Sequence, residues 1–166
     1  MLECSFPDLR CHRARLFPVI LAGVCAASPA FSVEVTVQVQ MAEYAGKEAY
    51  FALYLVDPDS RYVETLHVSG PDDDYHEDLA RWWRYLTRSD QDIAPITGPS
   101  IKSGERRLIT VTIDDAMIDA GYSLRLETAV EEQQTVPDEA EISLTEEGIG
   151  ARVDGSTYVR FIRYQW

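Results

Sequence analysis

Residues 33–41 read Val-Glu-Val-Thr-Val-Gln-Val-Gln-Met, an unbroken alternation of apolar and polar side chains. Period two puts every apolar side chain on one face of an extended strand and every polar one on the other. Only a strand with one face on a core and one on water needs this pattern, which points to an antiparallel sheet. Residues 49–56, AYFALYLV, are instead apolar at successive positions. Such a run predicts a central strand covered on both faces. Asp57-Pro58-Asp59-Ser60 follows as a turn, with Pro58 fixing φ at its second position. RYVETLHV (61–68) is the expected return strand of a hairpin.

Further strands are expected over 107–113, 122–130, 140–145 and 157–166, with Asp154-Gly155 as the turn before the last. DDAMIDAG joins the first two, and the acidic stretch 131–139 reads as a solvated connection. About seven strands with turns between them predict an all-β, immunoglobulin-like antiparallel sandwich in one domain, residues 33–166. One segment breaks the pattern. HEDLARWWRYLTR (76–88) spaces Leu79, Trp82, Trp83 and Leu86 for one face of a helix. Asp74 and Glu77 resemble a capping box before it, and Arg84 and Arg88 suit its carboxyl end. An inserted helix on an edge or end of the sandwich is expected. The long loop 89–106 carries Pro95, Gly98, Pro99 and Gly104, and loops of such length are often functional or mobile.

Residues 1–32 read as a secretory signal peptide. Arg10, Arg13 and Arg15 precede the apolar run Leu16–Ala30, and small residues offer cleavage after Ala30 or after Ser32. Pro18 and Pro29 bound a stretch shorter than the ~20 residues a spanning helix needs, against a transmembrane anchor. Leu21-Ala22-Gly23-Val24-Cys25 is the lipoprotein alternative, with Val24 where a small residue is expected. All three cysteines, Cys4, Cys11 and Cys25, fall in this leader. The exported chain is then thiol-free, which excludes disulfides, thiolate metal sites and a Cys nucleophile, and its core alone must hold it together. The whole chain carries 28 acidic and 15 basic residues, a net charge of −13. The leader contributes Arg10, Arg13 and Arg15 against Glu3 and Asp8, so the exported part stands at about −14. That balance disfavours binding to nucleic-acid phosphates and to anionic lipid.

The order of these features resembles the predicted periplasmic proteins of the domain-of-unknown-function family DUF2271. The resemblance runs through Tyr50-Phe51-Ala52-Leu53-Tyr54-Leu55-Val56-Asp57, the return strand Tyr62-Val63-Glu64-Thr65-Leu66 and the helix motif Leu79-Ala80-Arg81-Trp82-Trp83. It continues through the loop Ala94–Gly104 and the strand Gly121-Tyr122-Ser123-Leu124-Arg125-Leu126-Glu127-Thr128-Ala129. It implies a periplasmic setting beside membrane flavin and iron reductases, with a periplasmic or membrane protein as partner. It also implies a possible cofactor, FMN attached through a phosphoester to a hydroxyl on a Gly turn. Thr97-Gly98-Pro99-Ser100 keeps both hydroxyls and the Gly, with Ala94 where such a motif has Asp and Pro99 where it has Ala. Ser100 is the attachment candidate; the alternative is an ordinary Pro/Gly loop.

Two further candidates come from the residues themselves. Trp82 and Trp83 point about 100° apart on a helix, so one is expected against the sheet and one at its margin, where a flavin or haem ring could stack. The other reading is a wide apolar stripe with Leu79 and Leu86. Asp72, Asp73, Asp74, His76, Glu77 and Asp78 form an acidic cluster, with His67 near by in sequence. Asp72, Asp74, His76 and His67 are the candidate ligands for a divalent cation, set against a solvated turn that caps the helix. In the last strand, Arg160 and Arg163 are expected to lie over Tyr158, Tyr164 and Trp166 or to pair with the acidic surface. No nucleophile–base pair or cofactor fingerprint can be named, so the expectation is a non-catalytic binding or accessory module.

Overall fold

The computed structural model describes residues 31–166. Among these described residues, nine strands form two sheets. The first sheet has the order β5-β1-β9-β8 and the second β4-β3-β2-β6-β7. The strands are β1 (Ser32–Met41), β2 (Ala49–Val56), β3 (Tyr62–Ser69), β4 (Thr97–Gly98) and β5 (Arg106–Asp114). They continue with β6 (Ser123–Val130), β7 (Val136–Ser143), β8 (Val153–Asp154) and β9 (Val159–Gln165). All pairings are antiparallel except the short parallel one of β3 with β4. The excess over seven strands comes from the two-residue strands β4 and β8, too short to leave a period in the sequence.

The alternation of β1 sends Val35, Val37, Val39 and Met41 inward to full burial. They meet Phe51, Leu53 and Leu55 of β2 and Leu124 and Leu126 of β6 across the sandwich. The opposite face of β2, with Ala52, Tyr54 and Val56, is buried in a second cluster beneath helix α1 (Ala80–Leu86). The continuous apolar run of β2 therefore has the cause expected of it. The helix lies on the outer face of the second sheet, not on an edge or end. Its extent is also shorter than 76–88, because Asp73–Asp78 forms a 3-10 turn instead. Within that turn Asp72, not Asp74, is the cap, and its carboxylate accepts the Asp74 amide at 3.2 Å.

Two connections differ from expectation. The 89–106 segment is tied down: β4 extends the second sheet, and Ile101 exchanges two backbone bonds with Ala49 at 2.7 and 3.0 Å. The acidic stretch 131–139 is not wholly solvated, since β7 begins at Val136 and Glu139 is buried. The Glu139 carboxylate accepts from Thr128 Oγ1, Thr157 N and Val159 N at 2.8–2.9 Å, which stabilises its burial. Tyr164 of β9 and Tyr158 just before it turn inward while Arg163 turns outward to Gln38; the cation over an aromatic ring is Arg152, on Phe161. Among the described residues, no ion pair joins Arg160 or Arg163 to a carboxylate.

Residues 1–30, which hold the three cysteines and all but the last two residues of the expected leader, lie outside the described residues. Ser32 already pairs with Asp114, and the Phe31 carbonyl accepts the Asp115 amide at 2.9 Å. Cleavage after Ala30 would keep both contacts, whereas cleavage after Ser32 would remove them. Among the described residues, no helix is long and apolar enough to cross a membrane.

Candidate functional site

Helix α1 is held by one buried tryptophan and one buried carboxylate. Trp82 is fully buried among Ala52, Tyr54, Val68 and Leu79, and its indole N–H donates to Thr65 Oγ1 at 2.8 Å. Helix starts leave backbone N–H groups without partners. Here no side chain of the helix's own segment caps them. Glu127, projecting from β6, accepts the Arg81 amide on Oε1 at 3.0 Å and the Trp82 amide on Oε2 at 2.8 Å. Glu127 is completely buried. Burial raises its pKa, and the two amide bonds and the Arg81 charge pull the other way. Arg81 in turn grips Asp138 through two guanidinium nitrogens. Both Glu127 oxygens are thus engaged in positioning the helix.

Beside the seated helix runs an open groove of about 610 Å³. Trp83 and Leu86 form its helix wall, Ile93 and Thr97 its loop wall, and Asp73 and Asp92 stand at its rim. Trp83 is half-buried, with its ring 6.3 Å from Trp82. His76 backs the groove and is buried edge-on against Trp82, the ring centroids 5.6 Å apart. The Nε2–H of His76 donates to the Gly70 carbonyl at 2.9 Å. The Thr97 hydroxyl donates to the Ile93 carbonyl at 2.8 Å. The groove is an apolar trough with a negative rim, and its polar side chains are occupied by backbone partners. That arrangement suits binding of an apolar group flanked by positive charge.

The groove brings together Trp83, His76 and Thr97 from the sequence candidates, with Trp82 beneath them. Ser100 is not part of it. The half-buried Ser100 donates its hydroxyl to Glu48 Oε2, and its carbonyl accepts Arg107 Nη2 at 3.1 Å. The candidate cation ligands are divided. The carboxylates of Asp72, Asp73 and Asp74 lie within 4.8 Å of one another, all exposed. His76 is turned into the protein, and His67 sits on the other face of the sheet. His67 pairs with Leu53 on the inner face, its ring 5.8 Å from Phe51. Its Nε2 is buried without a hydrogen-bond partner, and burial, reinforced by the Arg107 charge, lowers its pKa to about 4.

Several residues with structural consequence escaped the sequence. Glu127 and Gln91 are the chief ones. Gln91 accepts the Thr65 amide and donates to the Thr65 carbonyl, at 2.8 and 2.7 Å. It thereby does for the edge of β3 what a neighbouring strand would do. Tyr54 also has a buried hydroxyl without a partner, and burial, with the Glu127 charge behind it, raises its pKa. No signal marked Glu127: Arg125 and Glu127 alternate with Leu124 and Leu126, which is the pattern of an ordinary solvent-facing side of a strand.

The model of a family described as a predicted periplasmic protein, DUF2271, matches residues 32–161. The chain belongs to this family. It is a periplasmic protein by that family's description. The match spans both sheets, the helix and every residue of the groove. No curated protein and no solved structure matches the chain.

Proposed function

We propose that the chain is a non-catalytic accessory module of the periplasm, which holds a protein partner in the groove beside α1. The observation that carries this reading is the groove itself: the half-buried Trp83 and Ile93, with Leu86 beneath them, lie between carboxylates. The fitting partner segment presents an apolar or aromatic side chain next to Lys or Arg. Family resemblance makes a membrane flavin or iron redox complex the first partner to consider. The scaffold fits an immunoglobulin-like plan in which β1, β5, β2, β3, β6 and β7 stand for strands B, E, C, C′, F and G. On that plan β9, antiparallel on the free side of β1, occupies the place of strand A.

Flavin carriage on Ser100 and cation binding at Asp72 and Asp74 are weaker fits. Glu48 puts negative charge where a phosphoester would sit, and neither histidine faces the aspartates. The test uses short capped peptides with a central Leu-Phe pair, flanked by lysines in one and glutamates in the other. Titration is followed by tryptophan fluorescence of the exported protein. The lysine peptide should saturate, and Trp83→Ala and Ile93→Asp should each weaken it. Equal binding of both peptides, or binding indifferent to the two substitutions, refutes the groove. Intact mass after co-expression with a flavin transferase should show no added FMN.

A further inference from the structure

The outer face of the first sheet carries a second, chemically opposite site. A pocket of about 220 Å³ lies there, lined by Thr36, Gln38, Arg106, Leu108, Arg163 and Gln165. Cross-strand register places these residues side by side: Gln38 of β1 faces Leu108 of β5 and Arg163 of β9, and Thr36 faces Gln165. Each guanidinium is held by a neutral amide. Arg163 donates through Nε and Nη2 to Gln38 Oε1 at 3.0 and 2.8 Å, and Gln38 is itself buried. Arg106 donates through Nε to Gln40 Oε1 at 3.1 Å, while the Gln40 amide is anchored on the Gly104 carbonyl at 2.9 Å. Among the described residues, no carboxylate lies within ion-pair distance of either arginine.

Acidic residues outnumber basic ones 28 to 15 in this chain, so counter-charges are plentiful. Two guanidiniums facing one pocket nevertheless have none. A carboxamide fixes a guanidinium in place without cancelling its charge, which is the preparation an anion site needs. Both arginines keep unused N–H groups, because only Nε of Arg106 and Nε and Nη2 of Arg163 are engaged. Guanidinium forks match the oxygens of carboxylate and phosphate. The Leu108 side chain, 64% exposed, gives the pocket one apolar wall. We propose that this pocket binds an oxyanion, the carboxylate or phosphate group of a small solute or of a lipid headgroup. The volume admits such a group and little more, so the rest of the molecule stays in solvent or in a lipid surface.

Inorganic phosphate and succinate are the probes, with chloride at matched ionic strength as the control, and backbone amide shifts are the readout. Saturable shifts at Thr36, Leu108 and Gln165, with α1 unmoved, are expected. Arg106→Gln should weaken binding about tenfold. Leu108→Glu, which supplies an internal carboxylate from an exposed position, should abolish it with thermal stability unchanged. Sedimentation with phosphatidylglycerol vesicles separates the sources. Co-sedimentation lost in Leu108→Glu identifies a headgroup, and no co-sedimentation with retained phosphate or succinate binding identifies a soluble anion. Shifts that follow ionic strength alone, or that survive both substitutions, overturn the proposal.

Discussion

The two outer faces of this sandwich start from different strand patterns, an alternating β1 and a continuously apolar β2, and end in opposite states. Behind the first sheet the outward side chains Thr36, Gln40, Leu108 and Arg163 stay at least partly open to water around the buried Gln38. Behind the second they are Ala52, Tyr54 and Val56 with Arg125 and Glu127, and α1 closes over them. The difference lies in which strands can tolerate exposure. β1 is polar at every outward position, so it needs no cover. β2 is apolar on both sides and would present an aggregation-prone face without the helix. The groove and the anion pocket follow from that asymmetry: one is the margin of a lid, the other a face that never had one.

The sharpest way to break this contrast is to remove the lid's anchor. Trp82→Ala should destabilise the protein by about 3–5 kcal/mol, as expected for deleting a fully buried indole and orphaning Thr65 Oγ1. Leu108→Ala on the opposite face should stay within about 0.5 kcal/mol. Urea denaturation midpoints compare the two directly. Similar costs for both would mean that the helix is not a structural cover.

Glu127 sharpens the same contrast at lower cost. Glu127→Ala strands two helix amides in a buried place, and a loss of about 2 kcal/mol is expected. Amide exchange at Arg81 and Trp82 should quicken more than exchange in β1. Glu127→Gln should recover only part of the loss, because its NH₂ would meet one of the two amide donors. If Glu127→Ala left both stability and exchange at these two amides unchanged, the helix would be capped by something other than this carboxylate.

Much of this was legible in the chain. The strand pattern of β1, the doubly buried β2 and the helix around Trp82 all follow from side-chain periodicity, since periodicity reports what a segment must bury. The start of the helix was not legible. Local signals favoured Asp74 and Glu77, but the partner for its amides comes from Glu127, far along the chain. Acidic composition likewise misrepresented 131–139, because Glu139 is consumed by the amides of Thr157 and Val159 on β9 and the turn before it. The groove was half legible: Trp83, His76 and Thr97 drew attention separately, and only the docking of 93–97 against the helix joins them. The division of His67 from His76 depended on a single fact of register, the pairing of His67 with Leu53 on the inner face.

His67 marks the seam between the two regions, and its effect should be the smallest. In the folded protein it stays neutral down to about pH 4, because burial disfavours the imidazolium and Arg107 adds repulsion. In the unfolded chain it takes up its proton near pH 6.5. The unfolded state therefore binds more protons between these limits, and stability falls as pH drops from 6.5 towards 4. About one unit below the unfolded value the loss should be near 1 kcal/mol, allowing for the partial exposure of the ring. His67→Leu removes the titrating group and the unpartnered Nε2 together. Thermal midpoints of wild type and variant should diverge as pH falls through this window and run parallel below about pH 4, where only carboxylates such as Asp138 and Glu105 still titrate. Parallel curves throughout would place His67 in water rather than in the buried site where its Nε2 lacks a partner.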